Sequence, residues 1–319
     1  MKALYFNRFG DSDVLEYGDI KIPNIGENDV LIKTEYIGLN FADIYRRRGN
    51  YHIEDNQPYI NGYEASGQII KVGANLKENL LGKSVLFVDV PFANAEYVKA
   101  PSDHLIMLPN GIDTKKAATI GLQGLTADFL ANNLGQNKAA DNVFITGISG
   151  GVGQLLSQIL SAKGVYVSGS VSSKLKQKAA LSLGANQVYL NCDKAIWQPK
   201  LISKVDTVYD GVGSTLAESI SLLKNRGKVI FFGMAGGKPE NIDLIDLLTH
   251  SKSILTGDLW DYLTTFEERQ FRSERLFKLI SDGKIKTSEP TIFPLSEGKA
   301  AHDFLESGKN IGKILLKTD

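Results

Sequence analysis

The chain has 319 residues, 43% hydrophobic and 23% charged, and its 36 Lys plus Arg balance 36 Asp plus Glu. This is the composition of an ordinary folded protein with room for two cores, not of a disordered segment. A chain without net positive charge is a poor candidate for following nucleic-acid phosphates or anionic lipid by long-range attraction. No stretch reaches the roughly 20 apolar residues that cross a bilayer. The first residues reach Asp11 before any apolar run long enough for a signal peptide, and the single cysteine, Cys192, permits no intrachain disulfide, so the expected compartment is the cytoplasm.

The first 110 or so residues predict short β-strands. Val30, Ile32, Thr34 and Tyr36 alternate, residues 68–72 and 84–88 are β-branched runs, and Gly26, Gly62, Gly67, Gly73, Gly82 and Pro91 punctuate them. A short helix is expected over 41–48, with Arg46-Arg47-Arg48 as its solvated face. From about residue 120 the pattern changes. The apolar run Val143-Phe144-Ile145-Thr146 leads through a glycine-rich turn into a helix whose apolar face is Val152, Leu155, Leu156, Ile159 and Leu160. Strands at 165–167, 187–190, 205–209, 228–232 and 253–256 then alternate with helices, one of them running from Leu216 to a stop at Gly227. Such alternation predicts a doubly wound parallel sheet of about six strands. A long helix at 266–280 and short pieces at 291–293 and 313–316 form a tail too small to stand alone, expected to return to the first domain.

The turn reads Gly147-Ile148-Ser149-Gly150-Gly151-Val152-Gly153. Glycines between a strand and a helix let the backbone approach a pyrophosphate, which the helix N-terminus then attracts. The spacing departs from G-x-G-x-x-G, because Ile148 stands at its first glycine and the chain has G-x-x-G-x-x-G instead. An NAD site would place an acid about 20 residues after the glycines. Residues 165–176 read VYVSGSVSSKLK and contain none, the next acid being Asp193. Hydroxyls and cations there suit a 2′-phosphate, which favours NADPH.

Several stretches then carry a family resemblance over essentially the whole chain. They are IGLNFADIYRRRGNY (37–51), GYEASGQIIKVG (62–73), FANAEYVKAP (92–101), LPNGI (108–112), AATIGLQGLTA (117–127), TGISGGVG (146–153), VYDGVGS (208–214) and GKILL (312–316). The sequence resembles the zinc-independent NADPH:quinone oxidoreductases, the zeta-crystallin-like branch of the medium-chain dehydrogenase/reductase superfamily. The resemblance implies an α/β fold in which a Rossmann domain (120–263) is inserted into a β-rich GroES-like catalytic domain (1–119 and 264–319), with the coenzyme in the cleft. Zinc-dependent relatives carry a cysteine where this chain has Asn40 and a histidine where it has Tyr63, before Glu64. One cysteine cannot build a four-thiolate site, and His52, His104, His250 and His302 are scattered, so no metal is expected.

The resemblance implies Asn40, Tyr45 and Tyr51 as donors to the acceptor's oxygen, with Tyr45 also beside the nicotinamide. It assigns Ser149, Gly150, Gly151 and Val152 to the pyrophosphate, Ser172 and Lys176 to the 2′-phosphate, and Asn191 to the neighbourhood of the adenosine phosphate. Thr126, Gly233 and Met234 line the nicotinamide end, and Lys313 closes the cleft. Glu64 is read as a relic of the metal-site framework, ion-paired and without a catalytic role. The expected activity is hydride transfer from NADPH to a quinone or conjugated carbonyl, since without a Lewis acid an electron-poor acceptor is the easier substrate. An enoyl-thioester or alkenal reductase is the alternative in the same class. A non-catalytic NADPH-binding structural or RNA-binding protein is the alternative from another. The strand at 253–257 is an expected sheet edge that pairs with its copy in a homodimer.

Overall fold

The computed structural model describes residues 1–319 and divides into two compact units. The first comprises Met1–Leu122, Leu263–Phe277 and Ser288–Asp319; the second comprises Gln123–Tyr262 and Lys278–Thr287. The expected division gave all of 264–319 to the first domain, but residues 278–287 belong with the second. The carboxamide of Gln158 holds them there, donating to Lys286 O (3.0 Å) and accepting from Lys286 N (2.7 Å).

Two sheets build the first unit. The larger runs in the order Thr291–Pro294, Ile314–Lys317, Asp29–Leu39, Glu64–Val72, Ser84–Val88, Leu105–Met107, with Tyr97–Pro101 also pairing to Asp29–Leu39. The smaller joins Glu16–Asp19, Lys2–Phe6 and Tyr59–Ile60. Asp29–Leu39 is the central strand, and two register shifts against Glu64–Val72 let one 11-residue strand serve three neighbours. Its inward residues Val30, Ile32, Ile37 and Leu39 join Val85, Phe87, Ile314 and Leu316 in one apolar core. Leu39 leads directly through Asn40 into helix α1 (Phe41–Arg47). Asp43 Oδ2 accepts the Asn40 backbone N–H (2.8 Å) at the N-terminus of this helix, where a carboxylate is favoured. Helix α2 (Thr114–Phe129) begins in this unit and ends in the next.

The expectation of a solvated arginine face on α1 holds only for Arg48. Arg46 is 1% exposed and Arg47 0%. Arg47 donates to the Gly10 carbonyl and pairs with Glu306, 2.9 Å, while its Nη1 meets His302 Nδ1 at 3.0 Å. A run of three cations gives no hint of this, because every partner of Arg47 lies at least 37 residues away.

The second unit is a six-stranded parallel sheet ordered Gln187–Leu190, Tyr166–Val171, Asn142–Thr146, Val205–Asp210, Leu223–Phe231, Ser253–Thr256. Helices α3 (Gly151–Ser161), α4 (Lys174–Ser182), α5 (Lys194–Leu201), α6 (Leu216–Leu222) and α7 (Leu244–Thr249) connect the strands. Strand order reverses between Asn142–Thr146 and Val205–Asp210, the switch point at which such sheets bind nucleotides. Helix α6 ends at Leu222 rather than near Gly227. Leu223 already pairs with Val205, and the chain passes through Arg226 at φ +66° before regular pairing resumes at Lys228.

Candidate functional site

In the second unit, the glycine turn stands where the sequence places it, between Asn142–Thr146 and α3. Gly150 is the N-cap of α3 and supplies no side-chain cap, so the first-turn N–H groups are left for an anion. The glycines differ in purpose. A Cβ on Gly153 would come within 2.7 Å of Gly147 O and 2.9 Å of Ile148 Cα, so this position closes the turn on itself. A Cβ on Gly151 would strike the Gln123 carboxamide, whereas one on Gly150 would meet only Gly147 O, at 3.3 Å. Gly150 is therefore the open face of the turn.

The carboxyl ends of the strands gather the other coenzyme positions along one edge of this sheet. Ser172 follows Tyr166–Val171, Asn191 follows Gln187–Leu190, and Gly233 and Met234 follow Leu223–Phe231. Ser149 lies in the turn itself, Val152 in the first turn of α3, Lys176 in the first turn of α4, and Thr126 on the part of α2 that belongs to this unit. Ser172 and Asn191 are exposed, and Lys176 is partly buried, which lowers its ammonium pKa by desolvation. The chemistry of these residues suits a dinucleotide: uncapped first-turn N–H groups can bind a diphosphate, and hydroxyls with a lysine and no acid can bind a 2′-phosphate.

Asp210 belongs to the same edge and was not singled out from the sequence. Fully buried at the end of Val205–Asp210, it accepts from Val212 N (2.9 Å), Gly213 N (3.0 Å), Thr215 Oγ1 (2.8 Å) and Ser219 Oγ (2.6 Å). With Thr146 Oγ1 at 3.4 Å, five donors on one carboxylate fix the loop that opens the switch point. The signal was an acid ending an apolar strand immediately before Gly211.

The first unit carries a different constellation. Lys313 Nζ donates to Glu64 Oε2 (2.6 Å) and to Asn40 Oδ1 (2.9 Å). Asn40 Nδ2 donates to Glu64 Oε2 (3.0 Å) and to Gly38 O (3.2 Å), and Glu64 Oε1 accepts from Leu122 N (2.6 Å). Glu64 is 0% and Lys313 2% exposed. Room for the carboxylate comes from Gly38 and Gly121, whose absent Cβ atoms would each collide with it. The ion pair expected for Glu64 is thus present. The ammonium of Lys313, expected against the coenzyme, is engaged by Glu64 and Asn40. Asn40, expected as a donor to the acceptor, has both amide hydrogens engaged within the protein.

Tyr45 and Tyr51 remain together. Their rings meet edge-on, with centroids 6.5 Å apart, and both are partly exposed. Burial is the main cause holding Asp43 at a pKa of about 6, partly offset by the guanidinium of Arg46.

These side chains do not fit zinc. Glu64 is neutralised by an ammonium and bound by a backbone N–H, Asn40 and Tyr63 supply no thiolate or imidazole, and no three His, Cys, Asp or Glu side chains converge.

Known proteins agree in kind. A family model described as alcohol dehydrogenase GroES-like domain matches residues 26–131, and one described as zinc-binding dehydrogenase matches 183–316. A probable quinone oxidoreductase of Schizosaccharomyces pombe is 34% identical, over 97% of this chain and 95% of its own length. Among solved structures, a mycobacterial protein complexed with NADPH superposes with a TM-score of 0.94 at 31% identity, covering 99% of this chain and 100% of its own. The Escherichia coli quinone oxidoreductase complexed with NADPH gives 0.92 at 30%, with coverage of 99% and 100%. The chain therefore belongs to the zinc-independent quinone oxidoreductases of the medium-chain dehydrogenase/reductase superfamily.

Proposed function

We propose that this chain is an NADPH-dependent reductase that passes hydride to quinones or related conjugated carbonyls without zinc. The observation that carries this reading is the end of strand Tyr166–Val171. It offers Ser172, Ser173 and Lys176 to the coenzyme and no acid, in a chain that matches quinone oxidoreductases along its whole length. NADPH, when bound, supplies the hydride. The chain's own residues do the rest.

The second unit is the coenzyme-binding domain in this proposal. The α3 N-terminus with Ser149, Gly150, Gly151 and Val152 holds the diphosphate, and Ser172, Lys176 and Asn191 surround the 2′-phosphate. A phosphate would repay the desolvation that lowers the Lys176 pKa. Thr126, Gly233 and Met234 line the nicotinamide end. The first unit is the catalytic domain, in which Tyr45 and Tyr51 donate to the acceptor's oxygen as negative charge grows there. Asn40 and Lys313 act behind them, by fixing Glu64 and the start of α1.

Strand Ser253–Thr256 ends its sheet, and α7 beside it exposes Leu244, Ile245 and Leu248 at 67–74%; this edge suits a second copy of the chain. No helix is long and apolar enough to cross a membrane, and the one cysteine is free and exposed, as in a reducing cytoplasm.

The test compares turnover of 1,2-naphthoquinone, an alkenal and an enoyl thioester with NADPH and with NADH. Quinone reduction with NADPH preferred is expected. Faster turnover of the alkenal or thioester would move the assignment to double-bond reduction, and inactivity on all three, together with salt-sensitive retention on RNA, would overturn it. Size-exclusion chromatography of a Leu248→Glu variant, expected to be monomeric, checks the dimer.

A further inference from the structure

Arg46 is a large cation placed where the sequence predicts a solvated one, and nothing in the proposed chemistry uses it. Its guanidinium lies 3.8 Å from the ring centroid of Tyr63 and 5.0 Å from that of Tyr51. Nε donates to the His52 carbonyl at 3.0 Å, and Nη2 lies 3.4 Å from His52 Nε2. The nearest carboxylate oxygen, Asp43 Oδ1, is 3.5 Å from Nη1, and the other oxygen of that carboxyl already accepts the Asn40 backbone N–H.

A guanidinium out of water is costly unless its charge and its donors are met. Besides the Asp43 carboxylate, the guanidinium meets the His52 carbonyl and ring nitrogen and the Tyr63 face, with the Tyr51 ring just beyond, so it links α1 to residues 51, 52 and 63 as well as to its own carboxylate. An aliphatic side chain could fill this space more cheaply. It could not grip the backbone at His52 and the ring at Tyr51 at once. A planar, forked cation does both, and it sits on α1 one residue after Tyr45.

We propose that Arg46 is a positioning residue for Tyr51. It fastens the segment Tyr51–His52 to α1 so that the Tyr51 phenol is held beside Tyr45, ready to donate to the acceptor. Residues 50–58 contain no helix or strand, so side-chain contacts such as this clasp, together with the Asn50 N–H donated to the Tyr45 carbonyl (2.8 Å), set where the phenol stands. Donors preset where charge develops act without reorganising, whereas a phenol on a loose loop must be ordered at every turnover. The inference rests on the assignment of Tyr51 as a donor, and its test separates the two.

The experiment is a double-variant cycle on the full chain, with 1,2-naphthoquinone turnover and NADPH affinity as separate readouts. Arg46→Met should lower kcat about tenfold, the order expected when a positioned group is released, and leave the Kd for NADPH unchanged. In the Tyr51→Phe background the same change should cost less than about twofold, because the group it positions is gone. Arg46→Lys keeps a charge opposite Asp43, which protects folding, but it cannot span both contacts. It should lose about threefold, again only when Tyr51 is present. Equal losses in both backgrounds would show Arg46 to be packing alone and overturn the inference while leaving Tyr51 a donor. Full turnover by Tyr51→Phe would remove the donor assignment itself, and the inference with it.

Discussion

The two units solve the problem of polar function in opposite ways. The second presents backbone: an uncapped helix end, glycines that let a ligand approach, and strand ends carrying hydroxyls, with Asp210 buried behind them to hold a loop. The first buries charged groups outright, among them Arg47, Glu64, Lys313 and Arg269, each tied to segments distant in the chain. Backbone recognition needs only local geometry and tolerates exposure. Buried charge needs every partner in place, so its failure is abrupt.

The largest effect is expected at Lys313. Lys313→Met leaves the Glu64 carboxyl fully enclosed without its ammonium, and loss of one partner of a buried pair costs about 3–5 kcal/mol. Urea unfolding should show a loss of that order, with most of it regained in the Lys313→Met/Glu64→Gln double variant. A cost below about 1 kcal/mol, typical of an exposed pair, would show that the first unit's charges are ordinary surface contacts.

His302 gives the next effect. Burial first, and the neighbouring Arg47 guanidinium second, push its pKa down to about 3. An unfolded histidine titrates near 6.5, so the folded chain binds fewer protons between about pH 3 and 6.5. The stability this group contributes is complete above that window and is lost as pH falls through it. The slope is at most about 1.4 kcal/mol per pH unit. Replacing His302 with Gln should flatten the acid side of a plot of urea midpoint against pH; an unchanged slope would refute the assignment.

On the backbone side, Gly153→Ala forces a Cβ against main-chain atoms that cannot yield cheaply. Its Kd for NADPH, read by coenzyme fluorescence, should rise at least about tenfold as the turn is pried open. Gly151→Ala meets only the flexible Gln123 side chain and should stay within about threefold of the parent. Reversed ranking would mean that the turn is not closed as described. The smallest effect is expected at Lys176. Its replacement by Ala should weaken NADPH about fivefold at low salt, leave NADH unchanged, and lose force as salt is raised.

The same contrast explains what could be read in advance. The glycine turn, its helix and the alternating strands of the second unit are local patterns with a fixed period, and the structure reproduces them nearly in place. α6 is the exception: its apolar spacing runs past the point where Leu223 finds a partner in Val205. In the first unit the short strands were legible and the arginines were not. Arg47 looks solvated from its neighbours in sequence, yet it lies against His302 and Glu306, 255 and 259 residues on. Lys313 was assigned to the coenzyme by resemblance, but its ammonium is held by Asn40 and Glu64, 273 and 249 residues earlier.

Local sequence sufficed for the nucleotide half of this protein: a strand, a glycine turn, a helix, and the absence of an acid where a ribose 2′-hydroxyl would need one. These follow from backbone sterics and local dipoles, which act over a few residues. Which charges are buried, and with whom, was set by long-range folding. The partners of Glu64, Arg46 and Arg47 come from separate strands, helices and loops, and folding alone brings them together. Whether a buried ion is stabilising depends on hydrogen-bond geometry within a few tenths of an ångström, which no spacing along the chain encodes.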